Sequence, residues 1–314
     1  MRWNADALRA IFTSASLIKG KAKATVPLAS TTGPSHLTPP MADGRMRLRH
    51  KIYGGGDEIH LPGLPPIWVQ AWLILPILAL ISPFLRKATL SGLIESVFIA
   101  LGIMLSILAH ELGHARMGQR FGLRPTLIRL HAGGGEVEFD EGAPTRREYR
   151  LVILAGPAVN LLIFILCLSS CELVKTFLAS PPPPDSESFL FIRELSAESR
   201  QFLLSMRPDP APLVVLRWLG WFNLALAFLN LLPAYPLDGG HLFHDYLEAR
   251  LGRRRAQLWT GLIGLVLAIL VKGLMIAALT FGMLIWSPPY LTPNWRAFRQ
   301  ALNKRASLSH PDRP

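Results

Sequence analysis

Two histidines and a glutamate stand together in His110-Glu111-Leu112-Gly113-His114, which reads H-E-x-x-H. On a helix, residues four apart share a face, so His110 and His114 can offer two imidazole nitrogens to one zinc ion. Glu111 beside them can take a proton from a water activated at such a metal, the arrangement used for metal-dependent peptide hydrolysis. The pattern is short, and a chance match is the bland alternative. Its setting speaks against chance. From Leu93 to Ala109 the chain is almost wholly apolar, and ionisable residues at the end of a membrane-length helix are expensive in lipid and mark function by default.

The elements that must position these residues are apolar runs. Half of the 314 residues are hydrophobic and 17% are charged, and the mean hydropathy is +0.32, which is the balance of a membrane protein. The net charge of +12 falls in clusters between apolar runs, as the positive-inside rule expects, and not on one polar face, which argues against a nucleic-acid partner. The expected fold is all-α: a polytopic membrane protein of about six transmembrane segments. Spans are expected at Ile67–Leu85, kinked at Pro76, at Leu93 to about Met117, at Leu151 to about Leu173, and at Leu213–Leu232. A last apolar stretch, Leu258–Trp286, is interrupted by Lys272-Gly273 and is expected to form two short helices or a hairpin. Residues 1–60 are expected to be a basic, flexible tail, residues 61–290 a membrane-embedded core, and residues 291–314 a basic tail. No signal peptide is expected in Ala7–Ile18, and Met41 and Met46 are alternative starts. Cys167 and Cys171 lie in an apolar segment and are expected to be small core residues.

Charge assigns the sides. Arg45, Arg47, Arg49 and Lys51 precede the first run, and Arg116, Arg120, Arg124, Arg129, Arg146, Arg147 and Arg150 fill the loop after the second, so both are expected in the cytoplasm. The loop around Asp185 suits the outer side. The second and fourth spans then run in the same direction. His110 lies about 26 Å along its span, near the inner edge of a core about 30 Å thick. Asp238 follows the fourth span after Pro233 and Pro236 have ended its helix, and Gly239-Gly240 would let it swing towards a metal on the neighbouring helix. Two histidines and a carboxylate would leave one tetrahedral position open, as in catalytic zinc sites. An aspartate before Gly-Gly is equally well a turn or cap residue.

Together, His110-Glu111-Leu112-Gly113-His114 in an apolar helix, Ala155-Gly156-Pro157 with Asn160, and Asn230-x-x-Pro233-x-x-Pro236-Leu237-Asp238-Gly239 resemble the site-2 protease family of intramembrane zinc metalloproteases, over about residues 65 to 290. The resemblance implies one zinc held by His110, His114 and Asp238, with Glu111 as catalytic acid/base and Asn160 helping the site to handle substrate or oxyanion. It also implies a transmembrane protein substrate cut within or near the bilayer, often to release a regulator, with the site near the cytoplasmic side. Asn230 would help to order its loop. The outer loop is too short for the PDZ domain of some relatives, and the tail after Trp286 is too short for the CBS pair of others, so a minimal form is expected.

The stretch His131–Phe139 alternates after a glycine hinge. The alternation predicts a short strand; the resemblance implies a membrane-associated β-loop that pairs with an unwound substrate, and the alternative is an ordinary cytoplasmic hairpin. His241 and His244 are expected at the surface and stay outside the metal set, and Lys272 is expected to snorkel or mark a turn. Two other functions compete. A membrane zincin of the CAAX-processing kind would take a distant glutamate as third ligand, against which the Asn230–Gly239 element argues. A non-catalytic metal-binding membrane protein would not need Glu111. Nothing in the sequence sets the oligomeric state.

Overall fold

A computed structural model of the chain describes residues 47–51, 56–140, 142–178, 210–280 and 290–308. The expectations for Met41, Met46, Ala7–Ile18 and the loop around Asp185 lie outside the described residues. The chain divides into two compact units, one formed by residues 1–73 and 115–149, the other by 74–114 and 150–314.

The first unit is built on a five-stranded sheet in the order β1 (Arg47–Lys51), β2 (Gly56–His60), β3 (Ile67–Gln70), β4 (Pro125–His131), β5 (Gly134–Phe139). This is more sheet than the β-loop expected, and two of its strands come from the stretch expected to be a tail. The first span is also corrected here. Ile67-Trp68-Val69-Gln70 is rich in β-branched and aromatic residues and forms the parallel partner of β4, with Ile67 opposite Ile128 and Val69 opposite Leu130. A buried strand of this kind reads as an apolar run, which hydropathy alone does not separate from the start of a span. Ile67, Ile128, Leu130 and Val137 are buried between the strands. On the same hairpin, Arg129 pairs with Glu136 at 3.3 Å and Glu138 at 2.6 Å. The β4–β5 turn passes through Gly134, whose φ of 123° favours glycine.

The second unit carries the membrane helices. After β3 the chain makes a 3-10 turn, Ala71–Leu73, and then α1, Ile74–Leu85, of 12 residues. Such a helix is about 18 Å long, short of an apolar core about 30 Å thick. Pro76 sits in its first turn, where a missing N–H is tolerated, and so makes no kink. Then come α2 (Leu90–Arg120), α3 (Arg146–Leu178), α4 (Ala211–Asn230), α5 (Asp238–Leu251), α6 (Arg253–Thr280) and α7 (Leu291–Leu308). Among the described residues, α2, α3, α4 and α6 are long and apolar enough to cross a membrane, where six segments were expected. α6 is one continuous helix, so the expected break at Lys272-Gly273 is corrected. Lysine is a good helix former, and one glycine costs only about 1 kcal/mol relative to alanine. Lys272 marks no turn; its ammonium lies 5.9 Å from the Tyr290 ring. The basic C-terminal stretch forms α7 as far as Leu308.

Contacts along α2, α3 and α4 fix their directions. Ser106 of α2 is met by Asn160 of α3, Gly113 by Ala155, and His114 by Val152. As α2 advances α3 runs back, so the pair is antiparallel. Leu219 of α4 packs at Gly102, and Asn223 bonds Ser106, so α4 and α2 run the same way. That is the parity the charge pattern called for. Outer faces of these helices are apolar and exposed, at Leu101, Leu105, Ile165, Leu166, Phe228 and Leu270 among others. Such faces suit lipid.

α5 is tied to α3 by Arg150, whose Nε donates to Asp245 Oδ2 at 2.6 Å; Asp245 is only 2% exposed. Removing the cation would leave a buried carboxylate uncompensated, at a cost of about 3 kcal/mol. Arg150→Met is expected to lower the melting temperature in detergent, and the double variant Arg150→Met/Asp245→Asn to recover most of the loss.

Candidate metal centre

Five features converge near the C-terminal ends of α2 and α4. His110 and His114 lie on one face of α2, and their Nε2 atoms are 3.1 Å apart. Asp238 opens α5, just past the turn that ends α4, and its Oδ2 lies 3.1 Å from His110 Nε2 and 3.4 Å from His114 Nε2. Behind the imidazoles stands Gly156 of α3. A Cβ there would fall 2.3 Å from His114 Nε2 and 2.6 Å from His110 Nε2, so only glycine leaves the space open. Gly113 does the same for the backbone, since a Cβ on it would lie 2.8 Å from the Ala155 carbonyl oxygen.

The far ring nitrogens settle which face of each imidazole is bare. His114 Nδ1 lies 2.8 Å from the Val152 carbonyl oxygen, and His110 Nδ1 is hydrogen-bonded to Asn160 Oδ1. A carbonyl oxygen can only accept, so each Nδ1 carries the proton and each Nε2 keeps its lone pair. Asn160 is held in that orientation by α4. Its Nδ2 donates to Asn223 Oδ1 at 2.8 Å, and Asn223 Nδ2 donates to Ser106 Oγ and to the Leu219 carbonyl oxygen, each at 2.9 Å. Both asparagines are fully buried, at 0% exposure.

With both imidazoles neutral, three lone-pair atoms face one another. Although Asp238 Oδ2 is within ion-pair distance of both rings, it makes no hydrogen bond of good geometry. The donor set and spacing fit a tetrahedral cation: with ligand distances of about 2.0–2.1 Å, tetrahedral edges are about 3.4 Å. Within the described residues, His110, His114 and Asp238 are the group that could hold a metal ion. Glu111 is buried beside them, at 4% exposure.

Residues 98–271 match the family model of peptidase family M50, just over half of the chain. The chain belongs to this family. Rip3 of Mycobacterium tuberculosis is 26% identical over 269 residues, covering 82% of this chain and 58% of that protein. Zinc metalloprotease MJ0392 of Methanocaldococcus jannaschii is 28% identical over 182 residues, covering 58% of this chain and 42% of that protein. The chain thus spans about half the length of these M50 relatives. The site-2 protease structure from Methanocaldococcus jannaschii aligns with 86% of this chain at 17% identity and a TM-score of 0.46. Four helices of this M50 chain are long and apolar enough to cross a membrane.

Other expected residues fall differently. The Asn160 amide is engaged at both ends, Oδ1 with His110 Nδ1 and Nδ2 with Asn223 Oδ1. His241 and His244 are not surface residues: His241 packs on Tyr235 at 5.2 Å between ring centroids, and burial pushes its pKa down to about 4 against the pull of Asp238. Glu248 faces His244 at 3.6 Å. Cys171 is buried and Cys167 half-buried, both as free thiols. Missed from sequence were Asn223, Ser106 and Asn294; an amide inside an apolar span was the available signal for Asn223.

Gly156→Ala is expected to leave the helix content unchanged by circular dichroism while zinc retention falls at least tenfold by metal analysis. Asn160→Leu is expected to weaken zinc about ten- to a hundredfold in chelator competition, the effect of losing a partner that orients a ligand.

Proposed function

We propose that this chain is a zinc-dependent intramembrane endopeptidase that cuts transmembrane segments of membrane proteins. The observation that carries the proposal is the convergence of two Nε2 atoms and one carboxylate in an M50 chain, with Glu111 next to the first histidine. In this reading His110, His114 and Asp238 hold one zinc ion per chain, and Glu111 is the catalytic acid/base. Bound zinc would supply a Lewis acid that polarises a carbonyl and lowers the pKa of water.

The chain's own residues do the rest. Glu111 takes the proton of the attacking water and returns it to the nitrogen of the departing amine. Asn160 and the Val152 carbonyl keep the two imidazoles in the tautomer that leaves Nε2 bare. The apolar helices exclude bulk water, which strengthens every charge interaction at the site. A substrate helix must unwind first, because its amides are shielded by their own hydrogen bonds. β5, an outer strand of the sheet, offers backbone groups to which such an unwound segment can add as a further strand. By the positive-inside rule, the basic residues of the α2–α3 connection support a cytoplasmic location for this side of the membrane, with the site near it.

Glu111→Gln removes the base and no ligand. Purified in detergent, it is expected to be folded and zinc-loaded, with cleavage of a transmembrane test substrate reduced by at least about a hundredfold. Wild-type turnover in this variant would defeat the proposed role. Asp238→Asn is nearly isosteric but uncharged, and is expected to lose zinc and activity together.

A further inference from the structure

Asp238 is aimed by the turn that precedes it, residues 231–237. Few of that turn's backbone groups bond each other. Ala234 N–H donates to the Leu232 carbonyl at 2.8 Å and Leu237 N–H to the Ala234 carbonyl at 3.0 Å. Tyr235, between them, is held from elsewhere. Asn294 of α7 donates through Nδ2 to the Tyr235 carbonyl oxygen at 2.7 Å, and its Oδ1 accepts the Tyr235 N–H at 2.9 Å. One side-chain amide thus binds both backbone groups of one residue, as a neighbouring strand would. The second Nδ2 hydrogen goes to the Tyr290 carbonyl at 2.8 Å, so the amide has no orientation left to choose.

The packing is built to admit this side chain. Asn294 is fully buried, at 0% exposure, on a face it shares with Ala297 and Ala301, the spacing of one helix stripe. α6 gives way twice to α7, once to this side chain and once to the backbone. A Cβ at Gly264 would lie 1.9 Å from Asn294 Oδ1, and one at Gly261 would lie 2.6 Å from the Phe298 backbone nitrogen. A buried amide adds little net stability, because its hydrogen bonds largely offset its desolvation. What it adds is a fixed position for the peptide it holds.

We infer that Asn294 is a positioning residue for the metal centre: by clasping the Tyr235 peptide it sets where the Asp238 carboxylate stands relative to His110 and His114. It lies beyond the residues 98–271 that match the family model. The C-terminal helix is therefore a working part of the site, although it contributes no ligand. The inference rests on the proposed role of Asp238 as a ligand.

The test uses the full chain in detergent and reads zinc affinity by chelator competition, together with the visible d–d absorption of the cobalt(II)-loaded protein. Asn294→Asp keeps the shape and the acceptor but turns the donor facing the Tyr235 carbonyl into a second acceptor. Gly264→Ala displaces the amide without substituting any residue of the site or of α7, although its methyl also comes within 3.1 Å of Ala234 Cα. Asn294→Ser removes the clasp with no steric conflict. All three are expected to lower zinc affinity about tenfold or more and to change the cobalt(II) band, read below the melting temperature of each variant. Gly273→Ala, on the same helix with nothing within 4 Å of the added methyl, is expected to match wild type. A purely structural role would lower melting temperatures while affinity and spectrum stay as in wild type, and that result overturns the inference. If wild-type protein binds no zinc, it is the ligand reading of Asp238 that fails.

Discussion

The hydrogen bond from His110 Nδ1 to Asn160 decides the chemistry available at this site, because it fixes which ring nitrogen is bare. In water an imidazole exchanges tautomers freely. Inside apolar helices every polar atom must find a partner in the protein, since an unpartnered one costs several kcal/mol. The chain meets that demand with donors and acceptors aligned in one direction: His110 to Asn160, Asn160 to Asn223, Asn223 to Ser106, and Ser106 Oγ to the Gly102 carbonyl. The line starts at the metal site and ends on the backbone of α2. Reversing any amide in it would set donor against donor, so the line holds the histidine as well as satisfying it.

Close approach of helices is the second requirement, and the residues that permit it are small. Gly113 and Gly156 let α2 and α3 come together at the level of the histidines, Gly102 admits Leu219 of α4, and Gly261 and Gly264 bring in α7. Interfaces of this kind suit helices in lipid, where van der Waals packing and interhelical hydrogen bonds replace a hydrophobic driving force. The parallel course of α2 and α4 then places the turn after α4 beside the histidines. With Asn223 beside Ser106, α4 ends at Asn230 about level with Gly113, while α2 runs on to Arg120.

The grouping of the candidate ligands was legible from sequence because most of it is encoded locally. H-E-x-x-H places two imidazoles on one face whatever surrounds them, and charge asymmetry between loops was enough to bring Asp238 to the same end. The misreadings share a physical cause: an apolar run states only that a segment is out of water. Ile67–Gln70 is out of water in a sheet, so the first span dissolved into a strand and a short helix. Lys272-Gly273 looked like punctuation, but neither residue stops a helix that packing holds. Asn223 and Asn294 were silent because their partners lie far along the chain, and an asparagine's meaning is set by what it faces. Asn160 was noticed for its place in a motif; its bond to His110 became visible only in the structure.

Zinc K-edge X-ray absorption on the purified full chain tests the central claim most directly. The expected result is one zinc per chain with a first shell of nitrogen and oxygen only, the imidazole multiple-scattering pattern of two histidines, and Zn–N distances of about 2.0–2.1 Å. A shell containing sulfur at about 2.3 Å, a single imidazole, or protein that binds no zinc at all would contradict it.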